Sequence, residues 1–146
     1  MRRLNDNPYL MWFKLAAYLG IIVNLLFAIP AVFCPRRLLD ILDLPYTSQT
    51  VWLRDVGGLL FFLTLMYVAA ARNPFRYAFN AAVMVVGRVA FAAFWFWVVY
   101  FADYPPAFLK LGIADLVIAV LQSIAYVLMM RHEYLQPELS APAAAS

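Results

Sequence analysis

The chain has 146 residues, of which 66% are hydrophobic and 13% charged, with a net charge of +3; a soluble domain of this size could not cover that much apolar surface. Its arginines and lysines stand near the ends of apolar runs with no aromatic-interleaved basic patch, which excludes a nucleic-acid partner and makes the charge a matter of membrane topology. The single cysteine, Cys34, excludes an intrachain disulfide, and with no CxxC there is no redox, zinc or c-type haem motif.

The first apolar run, 15–33, follows Met1-Arg2-Arg3. It stays apolar for about 20 residues, the length of a membrane span and not of a cleavable leader. Next comes a segment bounded by Pro35 and Pro45, with Leu38, Leu39, Ile41, Leu42 and Leu44 set among charges. That pattern predicts a short amphipathic helix on the membrane surface. The second run, 56–71, is short, and reaches full length only if Val51, Trp52, Leu53, Arg54 and Asp55 join the same helix. Arg72-Asn73-Pro74-Phe75-Arg76 is a turn, because proline cannot continue a helix, and Asp103-Tyr104-Pro105-Pro106 separates the third run, 77–101, from the fourth, 108–130.

The prediction is an all-α fold: one four-span transmembrane bundle over residues 1–136 (spans about 13–33, 51–71, 77–101 and 108–130), then a disordered tail, 137–146. Both termini lie on one side. That side carries Arg2, Arg3, Lys14, Arg72, Arg76 and Arg131, against Arg36, Arg37, Arg54 and Lys110 on the other. The positive-inside rule then places both termini in the cytoplasm. Trp12, Tyr18, Trp52, Tyr67, Tyr77, Tyr100 and Tyr104 fall mostly near span ends, where an interfacial aromatic belt belongs.

Ionisable groups inside a span are costly, pair with one another and mark function. Arg88 lies near the middle of the third span and Asp115 a little below the outer end of the fourth, while Arg54 and Asp55 enter from that same outer side. These four read as one neutral cluster, either a ligand-binding site or a structural ion-pair network. Arg88 and Asp115 are the favoured pair, since a guanidinium fork suits a carboxylate, and Asp55 is the rival partner. Gly112, Asp115, Ala119, Gln122 and Tyr126 recur every three or four residues on one face, as do Ala17, Gly20, Asn24 and Ala28. Both stripes should face the bundle interior, with Asn24, Gln122 and Tyr126 as supporting polar groups and Thr64 bonded to its own helix. His132, the only histidine, falls past the last span, so the spans supply no haem ligand and no metal site, and no cofactor is called for.

The ordered set formed by the Pro35 to Pro45 segment, Trp52-Leu53-Arg54-Asp55-Val56-Gly57, Tyr67-Val68-Ala69-Ala70-Ala71-Arg72-Asn73-Pro74, Val86-Gly87-Arg88 and Leu111-Gly112-Ile113-Ala114-Asp115-Leu116 resembles the small bacterial four-helix membrane proteins grouped as DoxX-like. The resemblance covers roughly residues 21–128 and implies a four-helix bundle in the bacterial cytoplasmic (inner) membrane. It implies no activity, because fold likeness does not license function.

The reading drawn from the residues is a small non-enzymatic membrane protein, an accessory subunit or a lipophilic small-ligand binder. Its expected partners are membrane lipid, a larger membrane complex or further copies of itself. One alternative is a membrane enzyme acting on a lipophilic substrate, with Asp55 and Asp115 as acid and base. A second is a transporter, for which four spans would need to assemble as an oligomer.

Overall fold

The computed structural model describes the backbone of residues 7–45 and 50–139 and the side chains as far as Tyr134. Its helices are α1 (Pro8–Phe33), α2 (Pro35–Leu42), α3 (Val51–Arg72), α4 (Ala78–Phe101) and α5 (Leu109–Leu139), with a 3-10 turn at Pro106–Phe108 leading into α5. Four are long and apolar enough to cross a membrane. Most of their surface is exposed and apolar, as at Leu26, Phe62, Phe79, Val86 and Phe101, which is the surface of a protein embedded in lipid. The protein is an all-α four-helix membrane bundle.

Local chemistry sets the helix ends. Asn7 caps α1 by accepting from the Tyr9 N–H at 3.0 Å, with Pro8 in the first turn where a missing N–H costs nothing. Its amide also donates to the Met129 carbonyl at 3.0 Å, tying the start of α1 to α5. α1 stops at Cys34, and Pro35 opens α2. The short helix ends at Asp43 in the left-handed conformation (φ 55°), where the Leu44 N–H returns to the Leu39 carbonyl at 2.9 Å. Between α3 and α4, the Asn73 side chain accepts from the Arg76 N–H at 3.0 Å and holds the turn around Pro74.

α5 differs from expectation at its far end. It runs on through Pro137 to Leu139, so the first residues of the expected disordered tail are helical. Residues 140–146 lie outside the described residues, as do Arg2 and Arg3 of the charge count.

The four long helices stand in the cyclic order α1, α3, α4, α5. α1 packs along both α3 and α5, and α4 along α5, whereas α3 meets α4 over a shorter stretch. Two apolar clusters close the ends of the bundle. One, at the end that carries the termini, includes Phe13, Tyr67, Ala81, Met84 and Met129. The other seats α2 on the opposite end, where Leu38, Leu39 and Leu44 pack with Ala31, Leu53 and Phe108. Arg36, Arg37, Asp40 and Ile41 face outward from α2, the amphipathic division its sequence predicts. Lys110 Nζ donates to the Leu42 carbonyl at 3.1 Å and lies 3.5 Å from Asp43 Oδ2, an exposed tie between α2 and α5 that adds little stability.

Candidate functional site

The polar residues of the spans gather between the two apolar clusters. Arg88 projects from α4, about 15 Å along the helix from its start, and is buried. Its Nη1 donates to Asp115 Oδ1 of α5 as an ion pair. Its Nη2 reaches across the bundle to α1, donating to Asn24 Oδ1 and to the Gly20 carbonyl, the latter at 2.8 Å. Asn24 in turn donates to Thr64 Oγ1 of α3 at 3.3 Å, and Thr64 donates to the Leu60 carbonyl of its own helix at 2.7 Å. One guanidinium thus links all four spans, since in lipid a buried charge is held at least cost by acceptors inside the protein.

The favoured Arg88 to Asp115 pair is present. Arg54 and Asp55 do not join it, contrary to the four-residue cluster expected from the sequence. Both are exposed, whereas Leu53 and Gly57, four residues apart, are buried on the face of α3 that packs into the bundle. The two charged residues also sit within one turn of the start of α3, close enough to the helix end to reach water. An acid–base pair of Asp55 with Asp115 is therefore not assembled.

The interior stripes lie where their spacing puts them: Ala17, Gly20, Asn24 and Ala28 are buried, as are Gly112, Ala119 and Gln122. Gln122 is fully buried and donates from Nε2 to the Ala16 carbonyl of α1 at 3.1 Å, while its Oε1 has no partner among the described residues. Tyr126 takes no part in the polar network; its ring packs on Phe13 with centroids 5.7 Å apart. Gln122→Met should accordingly cost less than about 1 kcal/mol in a denaturation titration, because one hydrogen bond is lost and one unsatisfied oxygen removed. Asn24→Leu should cost about 1–3 kcal/mol, since it strips acceptors and donors from both Arg88 and Thr64.

Beside the pair lies a cavity of about 100 Å³. Asn24, Tyr67, Arg88 and Asp115 form its polar end, and Phe27, Leu60, Phe91 and Trp95 belong to its apolar wall. Tyr67 is one of the residues that sequence reading misplaced. It is only 4% exposed and belongs to the interior and not to the interfacial belt. The signal was available in its spacing, because Gly57, Leu60, Thr64 and Tyr67 follow one another at intervals of three or four along α3. Among the described residues no group of histidine, cysteine or carboxylate side chains is placed to hold a metal ion.

Comparison of the chain with protein-family profiles, curated proteins and solved structures finds no match. The site is therefore read from its own chemistry.

Proposed function

We propose that this is a non-enzymatic protein of the bacterial inner membrane, of the DoxX-like type, whose cavity binds a lipophilic small ligand. The observation that carries this reading is the cavity itself, which meets the paired Arg88 and Asp115 at one end and aromatic side chains at the other. Arg88 and Asp115 also serve the fold, and the two roles are compatible: a pair already held by neighbouring helices presents polar atoms in fixed positions. Among the described residues Asp115 is the only carboxylate lining the cavity, and it is engaged by Arg88, which supports binding over acid–base chemistry.

Native purification in mild detergent followed by mass spectrometry of the extract tests the proposal. A lipophilic molecule should accompany the protein in near-stoichiometric amount and be depleted from the Val23→Phe variant, whose larger side chain intrudes on the cavity wall. Extracts of the two proteins with the same content would refute it.

The proposed orientation places both termini in the cytoplasm and α2 outside. Cys34 is exposed at the junction of α1 and α2 and is the chain's only cysteine. A membrane-impermeant maleimide applied to intact cells should therefore modify it, while reporters fused near Asn73 and after Leu139 read as cytoplasmic. Labelling that requires lysis would invert the topology.

A further inference from the structure

Resting on that reading, we infer that the ligand is an uncharged amphiphile, an apolar molecule ending in a hydroxyl or carbonyl group, and that it enters from the bilayer between α3 and α4.

The head group follows from the charge and hydrogen-bond capacity of the cavity. Arg88 and Asp115 are the ionisable pair that lines it, and they neutralise each other; Arg54 and Asp55 lie elsewhere. An ionised head group would have to displace one member of the pair and leave the other uncompensated in a low-dielectric interior. An uncharged one need displace nothing. Both donors and acceptors remain to receive it. Arg88 has five N–H groups, and its Nε donates to no partner among the described residues. Asp115 Oδ2 accepts no hydrogen bond among the described residues, and the Tyr67 hydroxyl, which can both donate and accept, makes none. A hydroxyl can use both kinds of group, and a carbonyl can use the donors.

The route follows from what closes the cavity. Axially its lining joins packed apolar side chains in both directions: Tyr67 belongs to one apolar cluster, and Trp95 and Leu111 pack against the other, with the leucines of α2. Sideways, α1 is closely packed on α3 and α5, and α4 on α5, leaving α3 and α4 as the loosest neighbours. The lining residues of those two helices include Val56, 36% exposed, and Phe91, 37% exposed, so the cavity wall on this side is also protein surface. That surface faces lipid. The cavity's volume of about 100 Å³ is smaller than the roughly 150 Å³ apolar cavity that accommodates benzene, so it takes a head group and a few carbons. The rest of the molecule lies in the bilayer between the two helices, which requires it to be apolar.

The test uses the full chain in phosphatidylcholine vesicles, with Trp12, Trp52 and Trp97 replaced by Phe so that Trp95 in the cavity wall is the sole tryptophan. Three medium-chain alkyl probes, brominated beside the head group, carry a hydroxyl, a carboxylate kept ionised at alkaline pH, or a trimethylammonium. The alcohol should quench Trp95 saturably and bind at least about tenfold more tightly than either ionised probe, the difference a single uncompensated charge readily produces. Tyr67→Phe should weaken the alcohol by about 3–10-fold, one hydrogen bond, with an unchanged circular dichroism spectrum. Val56→Phe, on the proposed route, should slow the onset of quenching. Tighter binding of an ionised probe would overturn the uncharged class while leaving a ligand site standing. An onset rate unaltered by Val56→Phe would overturn the entry route. Non-saturable quenching by all three probes would overturn the inference and the ligand-binding function together.

Discussion

Replacing Arg88 by Ala is expected to destabilise the bundle by about 3–5 kcal/mol in a detergent denaturation titration, the loss typical of breaking a buried ion pair from one side. The substitution strands Asp115 without its cation and leaves Asn24 without a donor, in a layer where water is scarce. Asp115→Asn should do comparable damage, because it removes the charge that makes a buried guanidinium tolerable. The double variant Arg88→Met with Asp115→Leu should recover most of the loss, since apolar groups of similar volume often replace a whole buried pair at little cost. A deficit of about 1 kcal/mol should persist from the hydrogen bond to Asn24. Strict additivity of the two single losses in the double variant would show that the residues are not energetically coupled, whatever their geometry. Stability restored with ligand binding still absent would separate the site's structural role from its functional one.

Two adjacent glycines should behave in opposite ways. At Gly57 a side chain would place its Cβ 2.8 Å from the Ala31 Cβ, 3.0 Å from the Ala28 carbonyl oxygen and 3.0 Å from a Val32 methyl. The carbonyl belongs to the backbone of α1 and cannot turn aside, so the two helices would have to separate along their closest contact. Gly57→Val should therefore destabilise by about 1–3 kcal/mol or more, and Gly57→Ala by somewhat less. At Gly58 nothing lies within 4 Å of the corresponding position. Gly58→Ala meets no obstacle there and restricts the unfolded chain, so it should be neutral or stabilise by about 0.5–1 kcal/mol. A detergent denaturation titration of the single variants measures both. Equal effects at the two positions would show that α1 and α3 do not approach through Gly57.

Helix rotation also explains how much of the site could be read in advance. Asn24 and Gln122 lie on stripes of small and polar residues with helical spacing, so their inward faces were legible from α1 and α5 alone. α3 begins with Val51-Trp52-Leu53-Arg54-Asp55 and continues largely apolar, so its inward face is marked only by the sparse spacing of Gly57, Thr64 and Tyr67. Burial of Leu53 and Gly57 then turns Arg54 and Asp55 outward and carries Tyr67 inward.

By itself the sequence determines four apolar helices, the proline and asparagine turns between them, the surface helix with its outward charges, and the need of Arg88 for a partner. Each of these depends on the length of an apolar run, on a residue's own backbone, or on the cost of a charge in lipid, and none requires knowing what lies alongside. Which carboxylate answers Arg88, which face of α3 turns inward, and whether a cavity remains are decided only when the helices pack. They depend on the rotation and separation of neighbouring helices, which a few small residues set: Gly57 draws α3 onto α1, and Gly20 lets Gln122 approach, its own Cβ position being 2.4 Å from Gln122 Nε2. The cavity is what remains between the four long helices once they have packed.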